Sequence, residues 1–162
     1  MNYQSWEQNV PNEFKNDPVW SVRAYRLGLL VADIGWEDVT RLMQDRRTLS
    51  LSDQLYRALG SISANVAEGY SHGTGKNRVR YYEYALGSAR ESRDWYFKGR
   101  HILGVEIAQH RFGLLTQISR LLLTMIPQQR GQAFRESSIT YDINPEVNRE
   151  TLKSLLDDIP LP

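Results

Sequence analysis

The apolar spacing between positions 51 and 66 constrains this chain more than any other feature. Leu51, Leu55, Leu59, Ile62 and Val66 follow one another at steps of four, four, three and four residues. That rhythm puts all five on one face of a 3.6-residue helix and excludes the alternation of a half-buried strand. Ser50 or Ser52 is a good N-cap, because a hydroxyl there accepts from an orphan amide of the first turn. The helix is expected to run to about Glu68, with Gly69 as its C-terminal residue.

The same signals recur along the chain. Asp17-Pro18 reads as an N-cap with proline at the first helical position. From Val19 a helix is expected to place Val22, Leu29, Leu30 and Trp36 on one face, with a bend or early stop near Gly35. A further helix is expected from about Lys76 to Leu103. One broad face of it carries Tyr81, Tyr82, Ala85, Ser88, Ala89, Ser92, Trp95, Tyr96, Gly99 and Leu103. A last long helix, about Val105 to Ile126, has Ile107, Leu114, Ile118, Leu121, Leu122 and Met125 as its stripe, and Pro127 is expected to stop it. Four helices with short connections predict an all-α, antiparallel up-down four-helix bundle over residues 17–127. An N-terminal arm (1–16) precedes it and a polar C-terminal extension (128–162) follows. Within the extension, 145–159 is expected to form a short amphipathic helix with Val147, Leu152, Leu155, Leu156 and Ile159 as its apolar members.

Gly73-Thr74-Gly75-Lys76 raises the question of a phosphate loop. The P-loop pattern needs glycine five positions before Gly75 and a hydroxyl after the lysine. This chain has Tyr70 and Asn77 there, and a helix precedes the stretch where a strand is required. A flexible connection between helices is the expected role. The helix N-terminus retains only the general capacity of such ends to attract an anion.

Within 54–68, Gln54, Arg57, Ser61, Asn65 and Glu68 form a narrow polar stripe beside the leucines. A solvated face is usually richer in lysine and glutamate. The small neighbours Ala58, Gly60, Ala64 and Ala67 suit close helix approach. The stripe is expected to meet Ser88 and Glu91 inside the protein or at a seam between subunits, where hydrogen bonds must satisfy it. A ligand pocket is the alternative. No catalytic residue is assigned, since none of His72, His101 and His110 stands at a defensible spacing from a serine or carboxylate. The same scarcity argues against a metal site, and no cofactor is called for.

Charge is unevenly spread. The net charge is +1, yet residues 45–103 carry 10 basic and 6 acidic side chains, a surplus of four. Lys76, Arg80, Arg90 and Lys98 fall within about 80° of one another at 100° per residue, over roughly 33 Å of helix axis. Clustered cations of this kind attract phosphate backbones. The plainer reading is a solvated face in which Glu83 and Asp94 serve as intrahelical partners. The chain has no cysteine, which fits a reducing cytoplasm. The N-terminal stretch has acids and no apolar run, so no signal peptide is expected. No segment approaches the roughly 20 apolar residues of a membrane span.

"QLYRALGSISANVAEGY" at 54–70 and "YYEYALGSARES" at 81–92 resemble the four-helix-bundle proteins encoded by intervening sequences in 23S ribosomal RNA genes. The family pattern Q-x-x-R-A-x-x-S-I-P-x-N-I-A-E-G is matched by Gln54, Arg57, Ala58, Ser61, Ile62, Asn65, Ala67, Glu68 and Gly69. Its continuation A-x-G-S-x-x-E is matched by Ala85, Gly87, Ser88 and Glu91. Ser63 stands where the pattern has proline, which removes a source of kinking. The resemblance extends to accessory proteins of diversity-generating retroelements. It implies a homopentameric barrel, association with RNA or nucleoprotein, and no enzymatic activity. A protein partner such as a reverse transcriptase, without direct nucleic-acid contact, is the other role it implies.

Overall fold

The computed structural model describes residues 1–130 and 145–162. The stretch 131–144 of the expected polar extension lies outside the described residues, as does the side chain of Val147. Every α-helix named here carries a label in chain order: α1 (Tyr3–Asn9), α2 (Asn12–Lys15), α3 (Arg23–Leu42), α4 (Leu49–Ser71), α5 (Gly75–Leu103), α6 (Val105–Arg130) and α7 (Pro145–Asp157). Short 3-10 turns at Pro18–Ser21 and Arg46–Thr48 precede α3 and α4. The described residues contain no strand. Helix α3 packs on α4, α4 on α5 and α5 on α6, while α3 also meets α6. The leucine stripe of α4 is buried as its spacing requires, with Leu55, Leu59, Ile62 and Val66 fully covered and Leu51 packed against them.

Several boundaries depart from expectation, each for a packing reason. Asp17 does cap, its Oδ1 accepting from the Val19 amide at 2.9 Å, but the turn it opens is 3-10 and α3 starts only at Arg23. Gly35 neither bends nor ends α3. A Cβ there would stand 2.4 Å from Leu59 Cδ1, and one at Gly28 would stand 3.1 Å from Ile62 Cγ2 and from the Ser63 amide nitrogen. Both glycines let α4 approach, so their cost in helix propensity is offset by contact area. Gly69 stays inside α4 because Tyr82 lies against it, 2.8 Å from the position of a Cβ. Helix α6 continues through Pro127 to Arg130. So near a C-terminus, a proline removes one intrahelical bond without forcing a stop.

Trp36, assigned to the apolar face of α3, is 56% exposed and meets Tyr56 of α4 edge to face at 5.6 Å between centroids. Leu27, Leu30, Val31, Ile34 and Leu42 form the buried row instead.

Both ends of the chain fold back. Helix α1 opens with a capping box, Asn2 Oδ1 accepting from the Ser5 amide at 2.8 Å, and its buried Trp6 donates from Nε1 to Asp33 Oδ2 at 2.8 Å. At the other end α7 lies on α6, with Leu152 and Ile159 buried. The Ile159 amide donates to the Met1 carbonyl at 2.8 Å. No helix among the described residues is long and apolar enough to cross a membrane.

Candidate functional site

Helix α5 is unbroken from Gly75 to Leu103, so the angular relation of Lys76, Arg80, Arg90 and Lys98 carries over from the sequence. All four are exposed. They are not bare charges. Lys98 Nζ binds Asp94 Oδ2 at 2.5 Å and lies 4.2 Å from the centre of the Trp95 ring. Arg80 donates from Nε to the Tyr84 hydroxyl at 2.7 Å. Such exposed intrahelical contacts are weak, so an incoming phosphate can compete with them. Lys76 and Arg80 also border a groove of about 500 Å³ between the start of α5 and the end of α6, with Asn77, Val79, Glu83 and Gln129.

The glycine loop is an inter-helix corner. Thr74 caps α5 by accepting from the Asn77 amide at 3.4 Å. Gly75 is glycine for want of space: a Cβ would sit 2.3 Å from the Gln129 carbonyl oxygen. Arg78 locks the corner, donating from Nε to the His72 carbonyl at 2.7 Å.

The flank of α5 facing α6 adds residues that the four-cation stripe did not include. Arg90, Arg93, Asp94 and Phe97 line a second groove of about 450 Å³ with Phe112 of α6. Phe97 is 53% exposed, and the Arg100 guanidinium lies 3.9 Å from its ring centre. Arg93 and Arg100 stand about 60° and 80° around the helix from Arg90 at 100° per residue. The same helical projection that collects the stripe would have shown them, had its width been extended.

Within one chain the polar stripe of α4 is not enclosed. Arg57, Glu68 and Glu91 are exposed, while Gln54, Ser61, Asn65 and Ser88 are half-buried. Their hydrogen bonds run along their own helices. Ser61 Oγ donates to the Arg57 carbonyl at 2.8 Å, Asn65 Nδ2 to the Ser61 carbonyl at 2.8 Å, and Ser88 Oγ to the Tyr84 carbonyl at 3.0 Å. Glu91 accepts from Trp95 Nε1 at 3.2 Å, and Glu68 stands 3.7 Å from His72.

The enclosed polar centre lies elsewhere. Arg111 of α6 and Asp38 of α3, both wholly buried, form a two-pronged pair: Nε to Oδ2 at 2.7 Å and Nη2 to Oδ1 at 3.0 Å. The Tyr96 hydroxyl of α5 donates to Asp38 Oδ2 at 2.6 Å. Burial first, and the Asp38 charge second, push the Tyr96 phenol well above its ordinary range, so it keeps its proton. Arg111 Nη2 also donates to the Pro160 carbonyl at 2.9 Å, and Nη1 approaches His110 Nδ1 at 2.8 Å. The signal was present in the sequence, since Asp38 interrupts the apolar row of α3 and Arg111 that of α6.

His110 has one self-consistent state. Arginine can only donate and a carbonyl can only accept. Nδ1 therefore accepts from Arg111, and Nε2 carries the proton given to the Leu155 carbonyl at 2.8 Å. Desolvation is the main cause that holds its pKa below the ordinary 6.5, helped by Arg111 and opposed by the Leu155 carbonyl, Asp38 and Asp158. On acidification the unfolded chain thus binds this proton before the folded one does. The stability due to His110 is complete above pH 6.5 and is lost as pH falls from there through the folded value. Urea midpoints at about pH 7.5 and about pH 5.5 should show this loss, and His110→Phe should flatten that part of the profile. An unchanged slope in the variant would remove His110 as its source.

An all-helical protein, with an exposed basic ridge on its longest helix and an ion-paired centre beneath, is the class these features define. Residues 23–124 match the family described as 23S rRNA-intervening sequence protein, and the chain belongs to that family. The match begins with α3 and ends inside α6, so α1, α2 and α7 lie outside it. No curated protein matches the chain, and no solved structure does.

Proposed function

We propose that this protein is a non-enzymatic, cytoplasmic accessory protein whose four long helices form an antiparallel up-down bundle, and which binds RNA or other nucleic acid through α5. The observation that carries this reading is the exposed, unbroken ridge of Lys76, Arg80, Arg90 and Lys98. Its length of roughly 33 Å spans several phosphates of a nucleic-acid backbone.

Self-association is part of the proposal, with a pentamer taken from the family resemblance. Gly60 of α4 is exposed, and no described residue lies within 4 Å of its Cβ position. A mid-helix glycine costs about 1 kcal/mol relative to alanine, and no contact among the described residues requires this one. A second copy packed against this face would require it. The same seam would enclose Gln54, Arg57, Ser61, Asn65, Glu68 and Ser88, and leave the basic ridge of α5 open. In a ring the basic ridge repeats, which strengthens the field felt by a polyanion.

Fluorescence anisotropy with labelled RNA and DNA, on protein sized by light scattering, tests both parts. Replacing Lys76 and Arg80 by glutamine should weaken all sequences alike and flatten the salt slope by about one unit for each phosphate no longer neutralised. A monomeric mass would remove the self-association claim. Absence of binding at low salt by an oligomeric preparation would remove the nucleic-acid claim.

One observation favours a protein adaptor as the second reading. A groove of about 370 Å³ where the N-terminal helices meet α3 and α4 is lined by Trp6, Val10, Pro11, Phe14, Leu29 and Tyr56, with exposed Trp36 beside it. Aromatic surface of this kind suits a protein partner such as a reverse transcriptase, and its binding would resist salt.

A further inference from the structure

We infer that the α5–α6 groove holding Arg90, Arg93, Phe97 and Phe112 is a single-strand site, which seats an unpaired base against Phe97 while the arginines hold the flanking phosphates. This rests on the nucleic-acid reading of α5 and narrows it to the unpaired form of the ligand.

Phe97 is the starting observation. A phenylalanine in the middle of a long helix normally turns to the core, yet this one is 53% exposed. Tyr96 and Gly99 occupy the buried face of α5 at this level, and Phe97 turns away from it. Its ring lies in a recess, with the Phe112 ring centred 6.4 Å away on α6 and the Arg100 guanidinium at 3.9 Å. The guanidinium lies over one face of the ring, and the two form a stack to which any base can be added, whatever its identity.

Charge then selects the occupant. Arg90, Arg93, Lys98 and Arg100 stand in or beside the groove against Asp94, which Lys98 already holds at 2.5 Å. Arg93 is drawn toward α6, its Nη1 lying 3.5 Å from Thr116 Oγ1. The groove is thus a cationic trough with an aromatic floor. Arg90 belongs both to the trough and to the exposed ridge, so one strand can follow the ridge and turn a base inward at Phe97.

A duplex fits this geometry poorly. Its bases are stacked and paired inside, and only its phosphates reach a convex ridge. A recessed ring is available to an unpaired base alone.

The test uses the full chain and three labelled probes of about 20 nucleotides: a single-stranded oligothymidylate, an abasic strand of equal length, and a blunt duplex. Oligothymidylate should bind more tightly than the abasic strand. Phe97→Ala should weaken oligothymidylate by about 5- to 150-fold while leaving abasic and duplex binding unchanged. Phe97→Tyr should retain the preference. Because Phe97 is exposed, neither variant removes a core contact. If the wild type binds nucleic acid but Phe97→Ala leaves the ratio of oligothymidylate to abasic affinity unchanged, the groove is not a base site, though the broader reading stands. If none of the three probes binds at low salt, the broader reading fails with the inference, and a protein is the partner of this face.

Discussion

Arg111→Met should lower the free energy of unfolding by about 3–5 kcal/mol, the usual cost of leaving a buried charge without its partner. Asp38 would remain wholly buried with only the Tyr96 hydroxyl to hold it. His110 Nδ1 and the Pro160 carbonyl would lose their donors in the same step. The size of the effect comes from the unpaired carboxylate, so it should shrink when the carboxylate is removed too. Asp38→Leu combined with Arg111→Met should therefore be less destabilised than the sum of the two single variants, with a coupling of about 1–3 kcal/mol in a double-mutant cycle. Urea unfolding measures all four corners. Additive single effects would mean that the pair acts as two independent groups, contrary to its geometry.

Removing residues 145–162 should cost about 3–6 kcal/mol, since Leu152 and Ile159 are buried against the rest of the protein and each covered side chain contributes about 1.5–3 kcal/mol. The loss reaches further than apolar area. The Leu155 and Pro160 carbonyls complete the shells of His110 and Arg111, and Leu155 Cδ1 lies 3.0 Å from a Cβ position at Gly113, so α7 rests directly on α6. The shortened chain should also lose the acid sensitivity assigned to His110, because the imidazole would then be open to water. A shortened chain with an unchanged midpoint and an unchanged pH profile would show α7 to be an ornament. The prediction also bears on family membership: α7 lies beyond the matched residues 23–124, yet it closes the polar centre that those residues build.

Helices were legible in the sequence because their cause is local. A stripe such as Leu55, Leu59, Ile62 and Val66 must be covered by something, and burial along one face follows whatever the partner is. The exposed position of Lys76, Arg80, Arg90 and Lys98 was legible for the same reason, since one regular helix sets their relative angles. What glycine does was not legible. Gly28, Gly35, Gly69 and Gly75 each look like a breaker to a local reading, and each is instead a point where another element comes close. Propensity counts the glycine's cost within its own segment, while the compensating contact comes from a different one.

The polar centre shows the same division. Asp38 and Arg111 are 73 positions apart, and the carbonyl of Pro160 is a further 49 away. Pairing a lone carboxylate with a lone guanidinium across that distance depends on which helices adjoin and in what rotation. The pattern of apolar and charged residues alone thus determined an all-helical protein with a basic ridge on α5. Tertiary packing alone decided that the polar centre is Asp38, Tyr96, His110 and Arg111, and that the α4 stripe stays at the surface of a single chain. Periodicity specifies the face a residue occupies on its own helix, and only the arrangement of neighbouring helices specifies what that face meets.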